Sequence, residues 1–122
     1  MSKIRSSNTQ FERQFVSELI TKTRREFRLN DGSLKGKPDI VFCKEKTCVF
    51  LDSDFWHGWQ YPRWKNILND FWKMKIENTR ARDRRATAYL RSRGWKVVRI
   101  WGHDMKQDFN STIMTVIKAL KK

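Results

Sequence analysis

The stretch VFLDSDFWHG, residues 49–58, brings together residue types that could do hydrolytic chemistry. Asp52 and Asp54 follow an apolar run, and His57 comes directly after an aromatic pair. Asp39 follows Pro38 at the start of an earlier apolar run. Mg²⁺ prefers carboxylate oxygens, and an imidazole can take a proton from water near neutral pH. A site built from such groups could polarise a phosphoryl oxygen and stabilise a leaving oxygen.

The charge of the chain indicates what such a site would act on. The 122 residues carry a formal net charge of +14, an excess that favours a polyanionic partner. We therefore expect nucleic acid as the partner. Acidic residues beside a phosphate-binding surface cause repulsion unless a cation lies between them and the phosphates. Clustered aspartates in this chain are most simply explained as ligands of Mg²⁺, with Mn²⁺ as a substitute.

A predicted hairpin positions the carboxylates. Residues 40–43 and 47–51 are rich in residues that favour strands, and the polar turn KEKT joins them. Pairing of these strands would bring Asp39 close to the segment from Leu51 to Asp54 at one end of the sheet. The alternative is that the aspartates are ordinary turn residues at strand ends.

Asp83 is the acid in the basic run RARDRR, on a helix predicted from about residue 64 to residue 93, with Phe71 and Met74 facing inward and Gly94 as its stop. An acid that packs near the sheet could orient His57 and stabilise its charged form. The alternative for Asp83 is a surface ion pair with neighbouring arginines.

Three further elements complete the predicted architecture. A helix should begin at Thr9, whose hydroxyl would form a capping box with Glu12. WKVVRIW, residues 95–101, is typical of a buried strand. NSTIMTVIKALKK predicts a closing helix capped by Asn110 or Ser111. The order of elements predicts one α/β domain over residues 1–122, with a small mixed sheet flanked by helices.

Basic and aromatic residues predict how nucleic acid would be held. The arginines of the predicted long helix should contact phosphates, and they are Arg80, Arg82, Arg84 and Arg85. Phe55 and Trp56 lie in an aromatic stretch too irregular to bury every ring, so they could stack on or wedge between bases. A solvated helix face and a small satellite core under the loop are the alternatives.

The remaining composition indicates the cellular location and bears on a structural metal site. No apolar run approaches the roughly 20 residues of a membrane-spanning helix, and the first residues lack the apolar core of a secretory signal. We expect a cytoplasmic protein, with Cys43 and Cys48 reduced. Two cysteines without clustered histidines offer little for a structural zinc site, and none is expected.

Four blocks, taken in order, carry a resemblance to a known family: GKPDIVF, VFLDSDFWH, FWKMKIENTRARDRR and RGWKVVRIW. Together they resemble the very-short-patch-repair (Vsr) endonucleases and the related homing endonucleases that share an E-D-x-H-D catalytic pattern. The resemblance implies a restriction-endonuclease-like fold that cuts double-stranded DNA with Mg²⁺, in a prokaryotic or phage-like setting. It covers about residues 9–101. It also implies a single nuclease domain, acting as a monomer, that is either a whole protein or the catalytic part of a longer one.

The resemblance assigns roles to individual residues. The five pattern positions fall on Glu12, Asp39, Asp52, His57 and Asp83. Asp39 would be the central metal ligand, with the Leu51 carbonyl and Asp52 beside it. His57 would activate water while paired with Asp83, and Glu12 would orient water on the metal. Phe55, Trp56 and Trp72 fall where the repair enzymes insert aromatic rings into the duplex.

Departures from the repair enzymes decide between functions within this class. Those enzymes carry histidine at the position of Asp52, and their FWH is followed by histidines and a cysteine, whereas here the run is GWQYPRW. The sequence therefore favours a homing-type DNA endonuclease. The first alternative is a mismatch-directed nickase of very-short-patch repair. The second is a basic, aromatic domain that binds nucleic acid without cutting it.

Overall fold

The computed structural model describes residues 2–52, 63 and 65–121, with the backbone alone for residues 2–9 and 11. The elements are α1 (Ser2–Thr23), β1 (Arg28–Leu29), β2 (Ile40–Phe42), β3 (Thr47–Asp52), a 3-10 turn (Lys65–Ile67), α2 (Asp70–Ser92), β4 (Lys96–Trp101), α3 (Gly102–Gln107) and α4 (Phe109–Leu120). Asp54, Phe55, Trp56 and His57 lie outside the described residues.

The strands form one mixed sheet in the order β1-β2-β3-β4. β1 and β2 pair antiparallel, as do β2 and β3, whereas β3 and β4 pair parallel. The predicted hairpin and the predicted mixed sheet are confirmed. The short strand β1 was not predicted, because two residues are too few to show a period.

Alternation along β3 gives the sheet two different faces. Val49 and Leu51 join the core formed with α1, α3 and α4, which also contains Phe15 of α1. Cys48 and Phe50 point to the other face and pack with Leu90 of α2 and its neighbours. Helices therefore cover both faces of the sheet, and the residues at the end of β3 lie between these two layers.

The first helix differs from its prediction at the N-terminal end. α1 begins at Ser2, so Thr9 lies inside the helix and the predicted capping box with Glu12 is wrong. An interior residue has its N–H bonded within the helix, whereas a cap has extended backbone angles. The helix ends at Thr23, and Arg24 follows with a left-handed φ of 52°.

α2 begins later than predicted. Its N-cap is Asn69, whose side-chain oxygen accepts a hydrogen bond from the Trp72 backbone N–H at 3.1 Å. The helix stops before Gly94, as predicted, and that glycine has a φ of +88°. The later start leaves residues 65–69 as a short connection before the helix.

The face of α2 that meets the sheet also differs from the prediction. The buried residues are Ile76, Ala86 and Leu90. Phe71 and Met74 were expected to point inward, yet they are 60% and 64% exposed. At 100° per residue they lie on another side of the helix from the buried stripe. Apolar spacing alone cannot tell which of two apolar sides will face a sheet.

The C-terminal segment matches its prediction except at the cap. Ile113, Val116 and Leu120 of α4 are buried. The cap is Asp108, whose carboxylate accepts a hydrogen bond from the Ser111 backbone N–H at 3.1 Å, in place of Asn110 or Ser111. None of the described helices is both long and apolar enough to span a bilayer.

Candidate active site

Asp39 directly precedes β2, at the end of the hairpin away from the turn. Its side chain hydrogen-bonds to β3 beyond the last backbone pair of the two strands. Its backbone N–H donates to the Val49 carbonyl at 3.0 Å. Its carboxylate Oδ2 accepts a hydrogen bond from the Leu51 backbone N–H at 2.7 Å. The predicted juxtaposition of Asp39 and the end of β3 is therefore present. Pro38, which cannot donate a backbone hydrogen bond, precedes Asp39 and is buried.

A cavity of about 630 Å³ opens beside this pair, between the loop before β2, the end of β3 and the middle of α2. Acidic, basic and apolar side chains line it. Its lining residues are Gly32, Leu34, Lys35, Gly36, Lys37, Asp39, Phe50, Leu51, Asp52, Arg82, Asp83 and Ala86. The cavity therefore contains four residues predicted for the catalytic and metal site, Asp39, Leu51, Asp52 and Asp83. It also contains Arg82, one of the four arginines predicted to contact phosphates.

The oxygen donors of this cavity fit Mg²⁺ in part. The N–H and C=O of one strand residue point to the same edge, so the Leu51 carbonyl is directed toward the edge where Asp39 lies. A carboxylate and a backbone carbonyl are both ligands that Mg²⁺ accepts. Within the described part of the chain, no three His, Cys, Asp or Glu side chains are grouped closely enough to hold a metal by themselves. Mg²⁺ often takes its remaining ligands from water and substrate phosphates, so the donor set is adequate for a site completed by DNA.

Asp52 sits at the end of β3 but points to the α2 side of the sheet. It is 3% exposed, and Nη1 of Arg99 lies 3.1 Å and 3.0 Å from its two carboxylate oxygens. A buried carboxylate is tolerated when a cation pairs with it. The prediction that Asp52 binds metal stays a prediction, and the structure adds a partner that the prediction did not include.

Asp83 lies in the middle of α2 and faces the cavity. Nη1 of Arg99 lies 3.9 Å from its carboxylate Oδ1, and Nη2 of Arg99 donates to its backbone carbonyl at 3.3 Å. The pairing of Asp83 with His57 remains a prediction, because His57 lies outside the described residues. The acid nevertheless lies on a helix that packs against the sheet, as expected from the sequence.

The other predicted residues that the structure describes are not part of the cavity lining. Glu12 is half-buried in α1, and it is not among the described residues that line the cavity. Trp72 lies near the start of α2, where Phe71 packs edge-on against it at a ring-centroid distance of 5.2 Å. Arg80, Arg84 and Arg85 are on α2 but outside the lining, in contrast to Arg82.

Sequence reasoning missed three basic residues at this site. Arg99 interrupts an apolar strand, and an arginine within a run such as KVVRIW is a signal that a buried acid lies nearby. Lys35 and Lys37 lie in the loop SLKGKP and line the cavity. Their loop packs tightly: Gly36 has a φ of +83°, and a Cβ built there would lie 3.0 Å from Cβ of Ala86.

Comparison with known proteins adds independent information. The family model described as DNA mismatch endonuclease Vsr matches residues 1–63. The type II nicking enzyme V.HpaIIP of Haemophilus parainfluenzae is 37% identical over 97 residues, which is 77% of this chain and 69% of that protein. The type II nicking enzyme V.XorIIP of Xanthomonas oryzae pv. oryzae is 41% identical over 106 residues, covering 83% of this chain and 75% of that protein.

A third relative is the DNA mismatch endonuclease Vsr of Escherichia coli. It is 33% identical over 103 residues, which is 83% of this chain and 65% of that protein. None of these three relatives is described as a homing endonuclease. The homing-type function favoured by the sequence therefore gains no support, and the mismatch-directed alternative agrees better with the relatives.

Proposed function

The chain belongs to the family of the DNA mismatch endonuclease Vsr, and from that premise we propose that it is a Mg²⁺-dependent endonuclease that nicks one strand of mismatched duplex DNA. One observation carries the proposal: a single cavity brings together Asp39, Leu51 and Asp83. The proposal includes a restriction-endonuclease-like fold, for which the mixed sheet with helices on both faces is the support.

Asp39 and the Leu51 carbonyl would hold the metal. The proposed shell leaves Asp52 out, because both of its oxygens lie within hydrogen-bond distance of Arg99. Mg²⁺ bound there would polarise a phosphoryl oxygen and stabilise the charge on the leaving oxygen. The hydrogen bond from the Leu51 N–H fixes Oδ2 of Asp39, so the carboxylate is oriented before any metal arrives.

His57 and Asp83 would together accept the proton that the attacking water releases. In the proposed hydrolysis a water oxygen forms the new bond to phosphorus, and its proton passes to an imidazole nitrogen of His57. The bond from phosphorus to the bridging oxygen breaks, and that oxygen takes a proton from solvent. Asp83 would stabilise the imidazolium. Glu12 would orient the attacking water.

Basic residues would draw the DNA backbone to this centre. Lys35, Lys37 and Arg82 line the same cavity as the acids. Positive side chains around the acids offset the repulsion between carboxylates and phosphates. Phe55, Trp56 and Trp72 are the proposed aromatic contacts with bases, and Arg80, Arg84 and Arg85 are the proposed phosphate contacts beyond the cavity. A single copy suffices, since one nick needs one hydrolytic centre.

The proposal is tested with duplexes that differ at one base pair. Each strand of a T:G duplex and of the matched T:A duplex is end-labelled in turn and incubated with the protein and Mg²⁺. We expect one labelled strand of the T:G duplex to be cut, and the matched duplex to be cut far more slowly. Cleavage of both strands of a matched site would overturn the mismatch-directed function and restore the homing-type one. Tight binding without any product would favour the non-catalytic binding module.

A further inference from the structure

Arg99 is a partly buried cation that connects two elements of the candidate site. It lies in β4, where its register partner is Phe50 of the adjacent strand β3. Its side chain is 18% exposed, and its guanidinium lies 4.1 Å from the centroid of the Phe50 ring. A planar guanidinium can stack on a ring and still present its N–H groups around its edge. Arg99 is therefore held flat between the sheet and α2.

The N–H groups of Arg99 reach β3 on one side and α2 on the other. Nη1 lies 3.0 Å and 3.1 Å from the two oxygens of Asp52. Nη2 donates to the Asp83 backbone carbonyl at 3.3 Å, and Nε donates to the Thr87 hydroxyl at 2.9 Å. The two acceptors on α2 are one helical turn apart. This set of contacts fixes that turn of the helix against the end of β3.

Asp52 and Arg99 depend on each other in electrostatic terms. The Asp52 side chain is 3% exposed, so removal of the guanidinium would leave a buried carboxylate without this cation. The pair together is neutral. The contacts with Arg99 engage one lone pair on each oxygen of Asp52, and the guanidinium offsets the negative charge that would attract a metal ion.

We propose that Asp52 and Arg99 are a positioning pair that fixes the Asp83 turn of α2, and that Asp52 serves the site through Arg99 instead of binding the metal. The inference rests on the proposed function, because Asp83 matters only if it orients His57. Asp52 then occupies the variable position of the E-D-x-H-D pattern as a structural support for the neighbouring acid.

The first test compares metal affinity in charge-matched variants. The double variant Asp52→Asn with Arg99→Gln keeps the net charge of the pair at zero but removes the carboxylate. We measure the Mg²⁺ concentration that gives half-maximal single-turnover cleavage, and Mn²⁺ binding from the loss of the free-ion electron paramagnetic resonance signal. We expect both values to stay within about twofold of wild type. Asp39→Asn, the matched control, should raise them by at least about tenfold. An equal rise in the double variant would make Asp52 a ligand and overturn the inference.

The second test separates positioning from mere folding. Arg99→Lys keeps a positive charge for Asp52 but cannot donate to Asp52, Asp83 and Thr87 together. We expect its urea midpoint to lie closer to wild type than that of Arg99→Gln, while its kcat falls about 10- to 100-fold and its KM for DNA is unchanged. Wild-type kcat in Arg99→Lys would contradict a positioning role.

A third measurement does not depend on catalysis at all. If the two residues are paired, the urea midpoint of the double variant should shift by less than the sum of the shifts in Asp52→Asn and Arg99→Gln. Additive shifts would show that the pair is absent in solution and would sink the inference, whatever the enzyme does. Failure of the wild-type protein to cleave any duplex, with non-additive shifts intact, would instead overturn the proposed function alone.

Discussion

The carboxylate of Asp39 accepts a hydrogen bond from the Leu51 backbone N–H at 2.7 Å, so one side chain completes the sheet and faces the candidate metal site at once. Two substitutions should therefore separate the hydrogen-bonding role of Asp39 from its metal-binding role. Asp39→Asn retains an oxygen acceptor for the Leu51 N–H, whereas Asp39→Leu leaves that N–H without it. We expect Asp39→Leu to lower the free energy of unfolding by about 1–3 kcal/mol and Asp39→Asn by less. Urea unfolding of both variants checks this, and equal losses would contradict the dual role.

His57 and Asp83 should act as a unit in cleavage. We expect His57→Ala to lower kcat by about 10²- to 10⁴-fold, because the attacking water loses its proton acceptor. Asp83→Asn should also lower kcat, and the double variant should be little worse than His57→Ala alone. Single-turnover cleavage measures all three. Asp70→Asn, the same change at an exposed position in the first turn of α2, is the matched control and should behave as wild type. Multiplicative losses in the double variant would show that the two residues act independently.

The basic lining of the cavity should govern the salt dependence of DNA binding. If Lys37 and Arg82 each neutralise one phosphate, Lys37→Gln or Arg82→Gln should reduce the slope of log K against log [salt] by about 0.9. Fluorescence anisotropy with a labelled duplex at several salt concentrations measures the slope. Lys118→Gln removes an exposed charge on α4, outside the cavity lining, and should leave the slope unchanged. An equal effect from all three would indicate a diffuse electrostatic field.

Gly36 should tolerate no side chain, for two physical reasons. Its φ of +83° disfavours any L-residue with a Cβ, and the added atom would lie 3.0 Å from Cβ of Ala86 and 3.2 Å from the Phe50 ring. We expect Gly36→Ala to cost about 1–3 kcal/mol of unfolding free energy. Gly32→Ala, where no atom lies within 4 Å of the new Cβ, is the control. Thermal unfolding compares them, and a stable Gly36→Ala would show that the loop packs differently in solution.

The two cysteines should differ in reactivity. Burial raises the pKa of the Cys48 thiol to about 12, whereas Cys43 is exposed on the hairpin turn. A raised pKa lowers the thiolate fraction at every pH below it, so Cys48 should stay protonated and inert at pH 8. We expect one thiol per folded chain to react with a thiol reagent, and two in denaturant. Fast reaction of both thiols in the folded protein would contradict the buried strand.

The hairpin and the closing helix could be predicted because local signals specify them. A polar turn between two β-rich runs leaves one pairing, and that pairing brings Asp39 to Leu51 whatever surrounds it. Phe71 and Met74 show where local signals fail. Helical spacing identified apolar residues on α2, but the residues that become buried are Ile76, Ala86 and Leu90 instead.

The acidic residues of the site could be predicted from the sequence, but the contacts between them could not. The order of the motifs was enough to assign Asp52 and Asp83 to the same catalytic site. The cation between them could not be deduced in the same way, because Arg99 is 47 residues from Asp52 and reaches it through the parallel pairing of β3 with β4. The pairing of two strands that are far apart in the sequence cannot be deduced from a short stretch of either strand. The partner of a buried acid can therefore be identified only from the assembled sheet.

The most direct test of the account is metal-dependent cleavage by wild type and Asp39→Asn, measured on one T:G duplex under single-turnover conditions. We expect a nick with Mg²⁺, no product when EDTA removes the metal, and a rate lowered at least about 10³-fold in Asp39→Asn while its DNA affinity stays close to wild type. Cleavage that survives EDTA, or an Asp39→Asn variant that cuts at the wild-type rate, would contradict the account.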